Sequence, residues 1–119
     1  MKKNTFQNHE MKLQPKFYDF IKNGTKRIEI RLYDEKRSFI NLGDVIVFLK
    51  EPELVERFET RVVGLLKYKS FEDMFKDFDI SILADESMTK EELQEELEKF
   101  YTKEKQKEYG VLGIRIELE

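Results

Sequence analysis

The chain has 119 residues and a net charge of −3, which suits one domain with a single hydrophobic core. Hydrophobic and charged residues each make up 39%, and 10 Phe and 5 Tyr supply enough apolar area to predict a folded domain rather than a disordered one. The lack of cysteine excludes disulfides, a thiol nucleophile and a thiolate metal site, and with one histidine we expect neither a metal nor another cofactor.

The first third of the chain predicts a strand, a helix and a second strand. Residues 9–13 form a short strand. Pro15 opens a helix, because its missing N–H has no partner to lose at that position, and Gly24 ends the helix in the left-handed cap conformation. Residues 26–33 then alternate between apolar and charged side chains with the period of a half-buried strand.

The middle of the chain predicts two further strands. Residues 34–38 are expected to be a charged connection and residues 41–44 a turn. Residues 45–49 are apolar without interruption, which predicts a strand buried on both faces. Residues 57–68 form a long strand, in which Gly64 is expected to mark a bulge that lets a small barrel curl.

The last part of the chain predicts two helices and a closing strand. Ser70 caps the first helix, and residues 79–87 follow as a loop. Thr89 opens an acidic helix over residues 89–101 with a capping box. Residues 102–108 are expected to be solvated charge, and residues 112–118 alternate as a final strand.

The element order is β-α-β-β-β-α-α-β, and several strands follow one another without a helical crossover. This order favours an α+β fold with a mostly antiparallel, curled sheet over a doubly wound one. No repeat or linker divides the sequence, so we expect a single domain over residues 1–119.

One motif stands out, the spacing Gly24-x-Lys26-x-x-Glu29-x-Arg31 between the first helix and the buried strand. With His9–Leu13, Glu29–Arg37 and Tyr109–Ile114, it resembles the ASCH domain family over about residues 9–118. The resemblance implies a small PUA-like β-barrel of about five to six strands with about three flanking helices. It also implies a ligand cleft between barrel and helices, lined by the lysine, glutamate and arginine of the motif.

PUA-like domains commonly bind RNA or modified nucleobases, so the resemblance implies RNA or a nucleoside-like small molecule as the partner. In this interpretation Lys26 contacts a phosphate or carbonyl oxygen, Arg31 contacts a phosphate or a base edge in bidentate fashion, and Glu29 accepts from an exocyclic amine. If Lys26 and Glu29 share one cleft, the carboxylate is expected to raise the pKa of the lysine. Three neighbouring side chains are further ligand-binding candidates: Tyr33, Lys36 and Arg37.

The alternative function is enzymatic, hydrolysis of a modified nucleoside or of RNA. Some small bacterial ASCH proteins hydrolyse N4-acetylcytidine with a lysine, a threonine and a glutamate. Lys26 matches the lysine and Glu86 the glutamate, but the threonine position is Glu29, and a carboxylate cannot supply a hydroxyl. Catalysis would then use Lys26 with Glu29 or Glu86 as the base toward a bound water.

Two simpler interpretations stay open. The motif charges could form an exposed cross-strand ladder that serves solubility, in a domain that is an adaptor without a nucleic-acid ligand or that contributes only stability. His9 could face the cleft or pair with a strand neighbour, and the second is favoured. The charge is uneven, with 11 Lys+Arg against 6 Asp+Glu in residues 1–50 and 11 against 19 in residues 51–119. A local basic surface contacts phosphates without giving general affinity for nucleic acid.

Location and assembly follow from absences in the sequence. No apolar run has the length of a membrane span, and Met1–Thr5 lacks the apolar core of a signal peptide. We therefore expect a cytoplasmic protein without a membrane partner, and a monomer by default.

Overall fold

The computed structural model describes residues 6–119, so the expectation for Met1–Thr5 lies outside the described residues. This part of the chain forms five strands and six helices. In chain order they are β1 (Asn8–Leu13), α1 (Pro15–Lys22), β2 (Ile28–Leu32), α2 (Glu35–Ser38), β3 (Val45–Lys50), β4 (Arg57–Tyr68), α3 (Phe71–Asp77), α4 (Ile80–Leu83), α5 (Lys90–Glu98), α6 (Lys103–Tyr109) and β5 (Val111–Leu118).

The five strands form one sheet in the order β1-β3-β4-β5-β2. The β1–β3 pair is parallel and the other three pairs are antiparallel, so the predicted α+β class and mostly antiparallel sheet are confirmed. The sheet curls into a half-barrel, and β1 and β2 are its two edges. The sheet is therefore not the closed barrel that the resemblance implies, because no backbone ladder joins β1 to β2.

The predicted count of about three helices is too low. The predicted helices correspond to α1, α3 and α5, and the prediction missed α2, α4 and α6 in segments 34–38, 79–87 and 102–108. Each of these is one or two turns long and begins with a capping side chain, Asp34, Asp79 or Thr102, that accepts a backbone N–H. Such short helices depend on their caps and carry no apolar periodicity that a sequence pattern can reveal.

Two glycines behave as predicted. Gly24 has φ +84° and ends α1 in the left-handed conformation. The register of β4 against β5 shifts between Val62 and Gly64, which is the expected bulge. A Cβ on Gly64 would lie 3.0 Å from the Cβ of Arg115, so the glycine also lets the two strands approach.

The hydrophobic core lies inside the curl and beneath α3 and α5. Apolar side chains of β2, β3 and β5 pack there with Phe71 and Met74 of α3 and with Leu93 of α5. The second face of β2 is buried as well, since Glu29 is only 4% exposed. The fold therefore places the charged motif inside the protein, at the seam between the two sheet edges.

Candidate functional site

A cavity of about 310 Å³ opens beside the seam between β1 and β2. Its walls come from both edge strands, from Phe17 of α1, from α5 and from the turn that follows α5. Three motif residues, Lys26, Glu29 and Arg31, line it together. The other lining residues are Lys12, Leu13, Gln14, Phe17, Ile30, Glu51, Leu93, Glu96, Leu97, Phe100 and Tyr101.

Lys26 is only 3% exposed, and three acceptors lie around its ammonium group. Its Nζ donates to the main-chain oxygens of Ile28 at 2.6 Å and Leu83 at 2.7 Å, and lies 3.5 Å from Oε1 of Glu29. The acceptor at Leu83 is the main-chain oxygen of the last residue of α4. The three protons of an ammonium group are thus all directed to acceptors.

The expected direction of the Lys26 pKa shift is wrong. Burial lowers the pKa of Lys26 below its usual value, and the attraction of Glu29 only partly opposes this effect. The spacing of the motif indicated that Lys26 lies close to a carboxylate, but it did not show that the ammonium group is removed from water. In a site this dry, the desolvation of the ammonium group outweighs one neighbouring negative charge.

Glu29 and Arg31 form a close ion pair, with Nε of the arginine donating to Oε2 at 2.8 Å. Burial alone would raise the pKa of Glu29, but Arg31 and Lys26 outweigh it and hold that pKa below its usual range. Arg31 Nη2 also donates to the main-chain oxygen of Lys12 at 2.9 Å, and Nη1 reaches the hydroxyl of Tyr101 at 3.5 Å. The alternative of an exposed charge ladder is therefore wrong.

The three buried motif residues, Lys26, Glu29 and Arg31, together carry one surplus positive charge, since two cations flank one carboxylate. At the rim, Glu96 accepts from Lys16 of α1 at 2.5 Å, which ties α5 to α1 across the cavity. Arg31 uses Nε and one N–H of Nη2 on strong partners and holds its Nη1 contact at the long limit of a hydrogen bond. The guanidinium therefore keeps donors for a further acceptor in the cavity.

The other predicted site residues lie outside the cavity lining. Tyr33 follows β2, and the ammonium of Lys67 lies 4.1 Å from the centre of its ring. Lys36 and Arg37 belong to α2, where Arg37 pairs with Asp34 at 3.1 Å and Lys36 is exposed. Glu86 is exposed in the connection between α4 and α5. The structure thus brings together Lys26, Glu29 and Arg31, and not these four side chains.

His9 also lies apart from the cavity. Its Nε2 contacts Oδ2 of Asp44 at 2.8 Å, and the same carboxylate accepts from the backbone N–H groups of Gln7 and Asn41. The favoured interpretation, a histidine paired with a strand neighbour, agrees with this position. Among residues 6–119, no three His, Asp or Glu side chains are arranged to hold a metal ion.

Tyr101 and Gln106, the residue that holds it in place, were not among the predicted site residues. Gln106 is 3% exposed, its Nε2 donates to the main-chain oxygen of Tyr101 at 3.0 Å, and its Oε1 accepts from the N–H of Phe71. A glutamine within a run of charged residues reads as solvated. In the sequence, either Phe100 or Tyr101 can continue the apolar stripe of the acidic helix, and the pattern does not show which of the two turns inward.

Comparison with known proteins gives one family and several similar structures. The ASCH domain profile matches residues 11–119. A crystal structure of hypothetical protein PH0355 is 38% identical with a TM-score of 0.81, and the match covers 94% of this chain and 99% of that one. A solution structure of protein PF0455 from Pyrococcus furiosus is 39% identical with a TM-score of 0.73, covering 93% and 96%.

A more distant match supports the fold alone. A crystal structure of a mutant of ZmASCH from Zymomonas mobilis is 10% identical with a TM-score of 0.65, over 92% of this chain and 67% of that one. No curated protein matches the sequence. Within residues 6–119, no helix combines the length and the apolarity needed to cross a membrane.

Proposed function

Because the chain belongs to the ASCH domain family, we propose that it binds RNA or a nucleotide derivative and holds one nucleoside unit in the cavity at Lys26, Glu29 and Arg31. ASCH domains are PUA-like and are associated with RNA binding. The observation that carries the proposal is the convergence of all three motif charges on one cavity with aromatic walls. A volume of about 310 Å³ is at the small end of the range for ligand pockets, which suits one nucleoside.

Each wall of the cavity offers a different kind of contact. Arg31 supplies N–H donors for a carbonyl or phosphate oxygen, and Glu29 supplies lone pairs for an amine or imine N–H. Phe17 and Tyr101 supply ring surface for a base. Lys26 does not contact the ligand in this proposal, because its three protons are directed to protein acceptors. Its positive charge keeps Glu29 ionised.

A titration with RNA followed by amide NMR tests the proposal. A random-sequence single-stranded RNA hexamer at low salt should shift the amides of residues 12–17, 26–31 and 93–101. Arg31→Gln should weaken binding about tenfold or more, because a charged bidentate donor is lost. Arg57→Gln is the matched control, since Arg57 is an exposed strand arginine outside the cavity lining. No shifts with the hexamer at low salt would overturn RNA binding, and no shifts with free ribonucleotides in addition would overturn the proposal as a whole.

The hydrolase alternative has one observation in its favour, the lowered pKa of Lys26, which is the shift that a lysine base requires. Against it, a neutral Lys26 would keep its two protons on the main-chain oxygens of Ile28 and Leu83, which leaves its lone pair on the side of Glu29. Glu86 is also exposed and outside the cavity lining. Release of acetate from N4-acetylcytidine, lost in Lys26→Met, would establish this alternative. Binding of the nucleoside without turnover would argue for the binding function.

A further inference from the structure

Phe100 is a large aromatic residue that lines the cavity and yet remains 55% exposed. Phe6 and Phe39 have similar exposure, 51% and 59%, but they lie outside the cavity lining. The other aromatic lining residues, Phe17 and Tyr101, are buried or half-buried. Phe100 is therefore placed at the rim, where one part of its ring belongs to the cavity wall and the rest faces solvent.

The backbone around Phe100 is well fixed. Its N–H donates to the oxygen of Leu97 at 3.1 Å, and the N–H of Tyr101 donates to the same oxygen at 2.8 Å. Gln106 holds the oxygen of Tyr101 from the other side. The exposed ring thus stands on a short turn between α5 and α6 that is ordered before any ligand arrives, which lowers the entropic cost of binding.

The rings of Phe100 and Tyr101 are neighbours, with centroids 6.4 Å apart and an interplanar angle of 58°. The ring of Tyr101 in turn meets Phe71 of α3 at 6.2 Å. The aromatic wall of the cavity therefore continues outward onto Phe100 instead of ending at the mouth. A ligand whose second planar group leaves the cavity meets a ring surface directly beside the first.

We propose that Phe100 stacks on the base adjacent to the one held in the cavity, so that the partner is a single-stranded RNA segment of at least two nucleotides. This inference rests on the proposed function and narrows it, because a free nucleoside would leave Phe100 unused. Stacking of bases on exposed aromatic side chains is the usual way in which proteins hold unpaired nucleotides.

The side chains near Phe100 carry charges of both signs. Lys99 and Lys103 flank the turn and are exposed, and the acidic residues close by are Glu96 of the cavity lining, Glu98 at the end of α5 and Glu104 of α6. The two lysines can contact a phosphodiester that leaves the cavity over Phe100, and the neighbouring carboxylates oppose this attraction. The inference therefore rests on the ring surface of Phe100 and not on the local charge.

Binding measurements with ligands of two lengths test the inference. The probes are the four ribonucleoside 3′-monophosphates and the random-sequence RNA hexamer, each titrated at one low salt concentration. The wild-type chain should bind the hexamer about five- to a hundredfold more tightly than the best mononucleotide, the range expected from stacking one base. Phe100→Ser should weaken hexamer binding by more than it weakens mononucleotide binding and so reduce this advantage, and Phe100→Tyr should retain it.

Phe39→Ser is the matched control, because it removes an equally exposed phenylalanine elsewhere on the surface, and it should change neither affinity. Equal affinity of the wild-type chain for hexamer and mononucleotide would overturn the inference and leave the proposed function standing. A Phe100→Ser variant that weakens both probes equally would also overturn it, since Phe100 would then only shape the cavity. No binding of either probe would overturn the inference and the proposed function together.

Discussion

Arg31 of β2 donates a hydrogen bond of 2.9 Å from Nη2 to the main-chain oxygen of Lys12 in β1. The two strands are opposite edges of the sheet, so this side chain joins edges that no backbone ladder connects. The same guanidinium donates to Glu29 through Nε at 2.8 Å. The arginine that faces the cavity therefore also holds the seam of the half-barrel together, and stability and ligand binding are coupled at this position.

Replacing Arg31 with lysine keeps the positive charge but removes the planar fork that reaches two partners at once. We expect the free energy of unfolding to fall by about 1.5–3 kcal/mol, the usual contribution of a hydrogen bond to a charged group. Urea unfolding at pH 7 measures the change. Arg57→Lys should change the unfolding free energy by less than about 0.5 kcal/mol, as exposed positions do. Equal losses in both variants would contradict the bridging role of Arg31.

Glu29→Gln removes the negative charge between two buried cations and leaves the shape of the side chain nearly unchanged. We expect a loss of about 3–5 kcal/mol in unfolding free energy, because Lys26 and Arg31 would remain buried without their counter-charge. The double variant Lys26→Met/Glu29→Gln should lose less than the sum of the two single variants, since one of the unpaired cations is then gone. Urea unfolding of the four proteins gives the coupling energy, and strict additivity would show that Lys26 and Glu29 act independently.

We expect Asp44 to contribute to the stability of the fold against acid. Burial alone would raise the pKa of Asp44, but hydrogen bonds from His9 and from the N–H groups of Asn41 and Gln7 outweigh it, so the pKa lies below its ordinary value. A carboxyl with a depressed folded pKa stabilises the fold at every pH above its unfolded pKa of about 3.9. This stability is lost as the pH falls through the lower, folded pKa.

We therefore expect Asp44→Asn to be less stable than the wild type at pH 7 and to lose less further stability between pH 5 and pH 2. Urea unfolding across that interval measures both effects. Glu53→Gln, an exposed substitution in the connection between β3 and β4, controls for the loss of one surface charge. Parallel stability curves of Asp44→Asn and the wild type would show that Asp44 does not carry the acid dependence.

The sequence was sufficient for the elements whose pattern is set by local chemistry. The Gly24 cap, the Gly64 bulge and the capping box at Thr89 each depend on a few neighbouring residues, and all three appear as predicted. These features need no knowledge of which distant segment packs against them. The shared cleft of Lys26, Glu29 and Arg31 was instead implied by the resemblance to the ASCH family, because the alternation in the strand alone also allowed an exposed charge ladder.

What the sequence could not reveal depends on contacts between distant segments. Lys26 is buried because the carbonyl end of α4 covers it, and residues 79–87 have no pattern that predicts this helix. The direction of its pKa shift was missed for the same reason. Tyr101 reaches Arg31 across 70 positions of the sequence, and Gln106 holds it there through a buried amide. Neither contact has a period or spacing that a single sequence can display.

Tyr101→Phe tests whether the hydroxyl beside Arg31 takes part in ligand binding. The hydroxyl accepts weakly from Arg31 at 3.5 Å, and its own proton has no acceptor within residues 6–119, so it is available to an oxygen of the ligand. We expect Tyr101→Phe to bind the RNA hexamer about three- to tenfold more weakly, the usual effect of one lost hydrogen bond.

The free energy of unfolding of Tyr101→Phe should change by less than about 1 kcal/mol, because the ring keeps its contact with Phe71. Tyr109→Phe is the matched control, since Tyr109 is 43% exposed and outside the cavity lining, and its affinity for the hexamer should equal that of the wild type. Unchanged binding by Tyr101→Phe would mean that Arg31 alone donates to the ligand at this wall. A loss of stability larger than the loss of binding would instead assign the hydroxyl to holding Arg31.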